Sequence, residues 1–148
     1  MKKFLTVIFS LLIFIPCVFG QISFSTGDIK EVGLIGRYYE KSVGSWMFTT
    51  TETRGCSVDV SDEFSRIMGI DGYFSPWGEK KDRFNPNIYI VCEDITAYIE
   101  FGESSISIVY PDEHRSSDYR LSKEGYEELL RFCMGLFPGN RVLRGYIK

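Results

Sequence analysis

Three short runs of strand-forming residues constrain the fold of this chain more than any other feature. The runs are Ile88–Cys92, Ile95–Phe101 and Ser105–Tyr110. They are rich in β-branched and aromatic residues, and the Gly-Glu-Ser sequence at 102–104 is typical of a hairpin turn. Strands joined by connections this short pair antiparallel, because a parallel crossover needs about a dozen residues. The sequence therefore predicts an antiparallel meander over residues 88–110.

An amphipathic helix near the C-terminal end is the second constraint. Its apolar side chains recur at helical spacing, in Tyr126, Leu129, Leu130, Cys133, Leu136 and Phe137. Ser122 is a favourable N-cap, and Pro138 ends the pattern. Several strands followed by one such helix predict an α+β domain, in which the helix packs on an antiparallel sheet of about four to six strands. The alternative is a small β-barrel closed by the helix.

The other segments have weaker local patterns. Trp46–Thr51 alternates like a strand, and a short strand or helical turn is expected around Ile29–Tyr39. Ser57–Val60 is read as a short strand, followed by a helix that is capped at Ser61 or Asp62 and ends at Gly69. Glycine, proline and charged residues predict loops at 72–87 and 111–120, and residues 142–147 are expected to form a closing strand.

The first twenty residues have the pattern of a cleavable secretory signal peptide. Lys2 and Lys3 precede an apolar run at 4–19, and the small residue Gly20 follows it. Pro16 interrupts this run, which is shorter than the about 20 apolar residues that a membrane-spanning helix needs. We therefore predict cleavage after residue 20, export to the periplasm or the extracellular space, and a single domain over residues 21–148.

Size and charge limit the partners of this exported part. Removal of 20 residues from 148 leaves 128, which is enough for one core but too few for two ordinary domains. Loss of Lys2 and Lys3 takes the formal net charge from −3 to about −5, which disfavours nucleic acid as a partner. The last apolar run, at 132–137, is too short to cross a bilayer, so no membrane span is predicted there.

Three cysteines remain after this cleavage, and an oxidising compartment would allow one disulfide among them. Cys92 continues the alternation of its strand, and Cys133 lies on the apolar stripe of the helix. We therefore favour a Cys92–Cys133 bond, with three unpaired and buried thiols, Cys56 included, as the alternative. Cys17 belongs to the signal peptide, and Pro16 before it is not the small residue that lipid attachment requires.

The loop at 72–87 is the candidate binding site. Aromatic side chains next to glycine, proline and a run of charges are found at protein interfaces and on platforms where sugar rings stack. The aromatic anchors and their polar rim are Tyr73, Phe74, Trp77, Lys80, Lys81, Arg83 and Phe84. The competing interpretation is that these aromatic residues fold back and seal one edge of the sheet.

The titratable residues support catalysis only weakly. His114 is the single histidine, and Ser116 and Ser117 lie too near it in the chain to form a relay easily. The carboxylates that might suggest a hydrolase are Glu93, Asp94 and Glu100, and surface charge at strand ends accounts for them. Those that might suggest a metal site are Asp59, Asp62 and Glu63, of which two are explained by a helix start. No metal or cofactor is predicted.

These features favour a non-catalytic binding module, such as an inhibitor or immunity-type protein that occludes another protein with a preformed surface. Carbohydrate is the second choice of ligand. A small secreted hydrolase that uses carboxylates or His114 is one alternative, and it requires a concave pocket where titratable groups converge. A subunit of a surface assembly is the other, and it requires an unpaired, apolar edge strand.

Overall fold

The strands pair into one open antiparallel sheet in the computed structural model, which describes residues 22–79, 83–113 and 116–148. They are β1 (Ile29–Glu40), β2 (Ser45–Arg54), β3 (Phe74–Pro76), β4 (Ile88–Cys92), β5 (Thr96–Glu100), β6 (Ser105–Val109) and β7 (Ser116–Leu121). Their order across the sheet is β2-β1-β4-β5-β6-β7-β3. The predicted α+β class is confirmed. The β-barrel alternative is wrong, and the sheet has seven strands rather than four to six.

Helices cover one face of this sheet. They are α1 (Val58–Met68), α2 (Lys123–Leu136) and the short α3 (Arg141–Arg144). The rings of Phe64 in α1 and Phe132 in α2 stack with their centroids 5.4 Å apart, so the two longer helices pack side by side. The predicted packing of the C-terminal helix on the sheet is confirmed. None of the helices in the described residues is long and apolar enough to cross a membrane.

The core lies between these helices and the sheet. Alternate strand residues point into it, and the central ones are fully buried: Val32, Ile88, Ile90, Ala97, Ile99, Ile106 and Ile108. Phe64, Leu129 and Phe137 fill the space from the helix side, where all three are buried. The opposite side of the sheet, which we call the open face, has no helix of the described residues over it.

Predictions from local sequence pattern are wrong in segments whose structure depends on strand pairing or helix capping. Ser57–Val60 is not a strand, because α1 begins at Val58 with Ser57 at its N-cap. Residues 116–121 form β7 rather than a loop, because β6 pairs with one edge of this segment and β3 with the other. β3 itself lies inside the segment predicted as a loop.

The expected closing strand at 142–147 is also wrong. A short helix, α3, begins there instead, because Asn140 Oδ1 accepts a hydrogen bond from Leu143 N at 2.9 Å. Leu143 is buried and fixes this helix to the core. At the other end of the chain, β1 spans twelve residues and is much longer than the expected short element.

The predicted Cys92–Cys133 disulfide is not present. Cys56, Cys92 and Cys133 are free thiols, and the last two are buried. Burial raises the pKa of Cys92 to about 12 and also raises that of Cys133. Both therefore behave as small apolar core residues, which was the alternative that the sequence left open.

Candidate functional site

The hairpin formed by β1 and β2 presents large apolar side chains to solvent. Trp46 is 53% exposed, Tyr39 50% and Phe48 44%, and every residue of β2 is exposed. The two strands pair from Val32–Arg54 to Glu40–Ser45, so the hairpin is continuous with the sheet. Exposed apolar residues that cluster in this way mark interaction surfaces more often than single exposed residues do.

A hydrogen-bonded turn holds the end of this hairpin. Glu40 Oε1 accepts hydrogen bonds from Ser42 N at 3.2 Å and from Ser42 Oγ at 2.8 Å. These bonds, that of the side chain first, lower the pKa of Glu40. Gly44 has a φ of +68°, a backbone conformation that side chains disfavour, and its N–H donates to the Glu40 carbonyl at 2.9 Å. The strand ends are therefore held in a defined register.

One side of the hairpin continues the open face as an aromatic surface. The Arg37 guanidinium lies 4.3 Å from the centre of the Trp46 ring, and Tyr39 meets the same ring edge to face at 5.5 Å. Phe48 lies directly opposite Arg37 in the register, on the same side. We call Arg37, Tyr39, Trp46 and Phe48 the hairpin cluster.

A groove of about 350 Å³ adjoins the hairpin cluster. Its lining consists of apolar, aromatic and threonine side chains, mainly Ile35, Phe48, Phe84, Tyr89, Val91, Tyr98, Thr50 and Thr96. Its residues include no charged side chain, and its volume falls within the range of about 300–1,000 Å³ that is usual for ligand sites. The open face therefore offers an apolar depression next to exposed aromatic anchors.

A glycine and a tyrosine set the shape of this groove. The ring of Tyr89 lies against Gly33 on β1, where a Cβ atom would overlap it. The Tyr89 hydroxyl donates to Glu31 Oε1 at 2.6 Å, and this bond, followed by burial, raises the pKa of Tyr89. The ring is thus held flat against the sheet, and the space beside it stays open.

The two edges of the sheet differ sharply. β3 has only three residues and ends in Pro76, which has no backbone N–H, so this edge is protected against pairing. β2 has ten residues and no proline, and no strand of residues 22–79, 83–113 and 116–148 pairs with its outer side. The six residues at 45–50 carry no charge. A long edge strand with an uncharged stretch of this kind is a template for pairing with another chain.

The aromatic loop predicted as the binding site divides between core and surface. Phe74 is only 4% exposed, and Tyr73 is half-buried with its hydroxyl bonded to Glu128 at 2.9 Å. Trp77 is half-buried under the Arg120 guanidinium, 4.1 Å from the ring centre. Of the predicted positions that the structure describes, Arg83 and Phe84 are exposed, and Phe84 lines the groove. Lys80 and Lys81 lie outside the described residues.

Glu93 and Asp94 lie close together, with a carboxylate oxygen of each near Gly27, but neither residue lines the groove. Glu93 and Asp94 form the turn before β5, whereas Glu100 ends that strand about 20 Å away. Glu100 is therefore outside the separation of about 10 Å or less that paired carboxylates have in glycoside hydrolases. Among the described residues, no group of three His, Cys, Asp or Glu side chains could hold a metal ion. His114 falls outside the described residues.

A larger cavity of about 790 Å³ runs along α2 and the last residues of the chain. Its apolar walls include Leu130, Met134 and Ile147. Its single acidic side chain is Glu127, which is exposed, so no two acidic side chains meet in this cavity.

No protein-family model, curated protein or solved structure matches this chain. Functional inference therefore depends on the hairpin cluster, the groove and the edge of β2. Sequence reasoning identified the strand at 46–51 but missed its role in a site. The available signal was a strand with Trp46 and Phe48 on one side and Met47 on the other, yet apolar residues on both sides are also typical of a buried strand.

Proposed function

We propose that this chain is an exported, non-catalytic protein-binding module that contacts its partner through the β1–β2 hairpin. The observation that carries the proposal is the ten-residue edge strand β2, exposed along its whole length and flanked by the hairpin cluster. An extended segment of another protein can pair with such an edge through backbone hydrogen bonds, while pockets and anchors beside it supply specificity.

The aromatic side chains suit the role of anchors. Tyrosine, tryptophan and arginine carry a large share of the binding energy at protein interfaces, and Trp46, Tyr39 and Arg37 lie in mutual contact. Phe84, the one exposed aromatic residue of the predicted loop, extends the same surface across the groove. The mechanism is occlusion, because a preformed hairpin covers part of the partner without a chemical step.

Two features favour binding over the hydrolase alternative. Neither cavity combines two acidic side chains, and the groove beside the hairpin contains no titratable side chain other than tyrosine. Export is proposed from the pattern of residues 1–20, which lie outside the described part of the chain.

The test is affinity capture from the envelope and secreted fractions of the source organism, with protein produced from the full-length sequence as bait. A Trp46→Ser/Phe48→Ser variant removes two anchors that make no core contact. A Val58→Ser/Val142→Ser variant is the matched control, because these residues are 65% and 61% exposed on α1 and α3.

The proposal expects a protein that the native and control baits retain and the hairpin variant loses. Circular dichroism must first establish that all three baits are folded. Equal retention by the hairpin variant, or no retention by any bait, would contradict the proposal.

A further inference from the structure

We propose that the partner at β2 is a second copy of this chain, paired antiparallel about a two-fold axis at Phe48. This inference rests on the proposed function, since it names the occupant of the same edge. The paired segment would be 46–50, and the two sheets would join into one continuous sheet across the axis.

The shape of β2 limits where a second strand can pair. The register between β1 and β2 shifts at Leu34 and Ile35, which leaves Thr51 as an extra residue in β2. Such a bulge interrupts regular pairing and bends the strand. The regular, uncharged part of the edge is therefore residues 45–50, on the turn side of Thr51.

The side-chain pattern of this segment is self-complementary. Trp46, Phe48 and Thr50 share the open face, while Met47 and Thr49 point to the other side. Residues directly opposite each other in a sheet must share a face. A two-fold axis at Phe48 meets this condition, because it sets Phe48 against Phe48 of the second copy, Trp46 against Thr50 and Met47 against Thr49.

These pairs belong to classes that stabilise sheets. Aromatic residues opposite aromatic or β-branched residues are favourable cross-strand neighbours. The Phe48 rings would cover each other at the axis, and Trp46 of each copy would lose solvent contact along its outer edge. One edge of the sheet is long and the other is short and ends in Pro76, so each copy offers a single edge for such a contact.

Charge also permits the pairing. The charged residues of β2 are Glu52 and Arg54, which bind each other at 2.8 Å beyond the bulge. In the two-fold arrangement they lie beside the turn at 41–44 of the second copy rather than opposite themselves. No like charges meet across the paired segment, although like charges directly opposite would destabilise it.

The contact is small, so the dimer should dissociate on dilution. One strand and a few large side chains from each copy correspond to the low end of specific interfaces, below about 1,200 Å² in total. The expected state is a monomer–dimer equilibrium, and sedimentation velocity over a range of concentrations measures it.

Cysteine cross-linking tests the axis itself. Directly opposite Cα atoms in an antiparallel pair lie about 4.5–5.5 Å apart, within the range of about 4.4–6.8 Å that a disulfide bridges. A Phe48→Cys variant oxidised with glutathione disulfide should therefore give covalent dimer in high yield. Thr53→Cys is the matched control, because it is also exposed on β2 but lies about 34 Å from its symmetry mate.

A charge variant gives an independent readout. Phe48→Lys would set two ammonium groups against each other at the axis, so it should be monomeric at concentrations where the native chain is dimeric. Val142→Lys adds the same charge on α3 and should dimerise like the native chain. Phe48 is 44% exposed, so its substitution leaves the core intact, and circular dichroism checks this.

The outcomes separate the two proposals. Equal cross-linking of Phe48→Cys and Thr53→Cys, or a native chain that is monomeric at every concentration, overturns the two-fold dimer. If a different protein is then captured through Trp46 and Phe48, the binding function stands and only this inference fails. If capture fails as well, both fall.

Discussion

The contact between Gly33 and Tyr89 determines how the open face is shaped at the level of single residues. β1 contributes a residue without a side chain, and the Tyr89 ring of β4 fills the space where a Cβ would lie. The hydroxyl of that ring is fixed by Glu31. Because both groove and hairpin adjoin this ring, one glycine positions a large part of the candidate surface.

Gly33→Ala should therefore destabilise the protein by about 1–3 kcal/mol, since the new methyl group must displace a ring that is fixed at both ends. Urea unfolding measures the change in free energy. In a Tyr89→Ala background the same substitution should cost clearly less. Gly135→Ala is the control, because no atom lies within 4 Å of its added Cβ and it sits in α2, where alanine is favoured over glycine. An equal loss at both glycines would contradict the overlap at Tyr89.

At the level of secondary structure, the two long helices begin differently although both have serine at the N-cap. Ser122 Oγ accepts a hydrogen bond from Gly125 N at 3.0 Å, so it satisfies a free backbone donor of α2. Ser57 makes no such bond at the start of α1. α1 depends instead on packing and on the Ser61 hydroxyl, which accepts a bond from Ile29 N at 2.9 Å.

Ser122→Ala should lower the free energy of unfolding by about 1 kcal/mol, because the Gly125 N–H loses its acceptor. Ser57→Ala replaces the same residue type at the same helix position and should lower the free energy of unfolding by less than half as much. Chemical denaturation of the two variants provides the comparison. A larger loss for Ser57→Ala would show that the side-chain bond at Ser122 does not stabilise α2.

At the scale of the whole molecule, the sheet has a firm centre and an exposed extension. β4, β5 and β6 are paired on both sides and bury alternate side chains under α1 and α2. Within the part of the chain that the structure describes, the hairpin beyond Ile35 has no third strand beside it, and its aromatic residues are exposed. The hairpin should therefore open locally at a lower free energy than the centre of the sheet.

Hydrogen exchange followed by mass spectrometry should detect this difference. Amides of β4–β6 should exchange only through global unfolding, and amides at 37–48 should exchange much faster, because local opening of the hairpin costs little buried area. The exchange should be measured at low protein concentration, where a dimer would be dissociated. Uniform slow exchange across both regions would contradict local opening of the hairpin, while added protection at 46–50 at higher protein concentration would match pairing at β2.

The sequence alone was sufficient to predict the elements whose local pattern agrees with their burial in the fold. The strands at 88–92 and 105–109 and the helix capped by Ser122 follow from the period of their apolar residues and from capping. The α+β class follows from them, because a sheet and a helix with one apolar side each must cover one another. The same reasoning failed at 116–121, where pairing with β6 and β3 makes a polar segment a strand, and at 142–147, where the Asn140 cap and the burial of Leu143 favour a helix.

The site depended still more on tertiary structure. The sequence contains Tyr73, Phe74 and Trp77 in one loop and Trp46 and Phe48 in one strand, and nothing local distinguishes a buried aromatic residue from an exposed one. The position of each segment in the sheet determines which aromatic residues are buried. β3 lies against β7 and buries Phe74, whereas β2 lies outside β1 and is exposed along its whole length. Composition determined that aromatic side chains would be plentiful, and strand order decided which of them meet solvent.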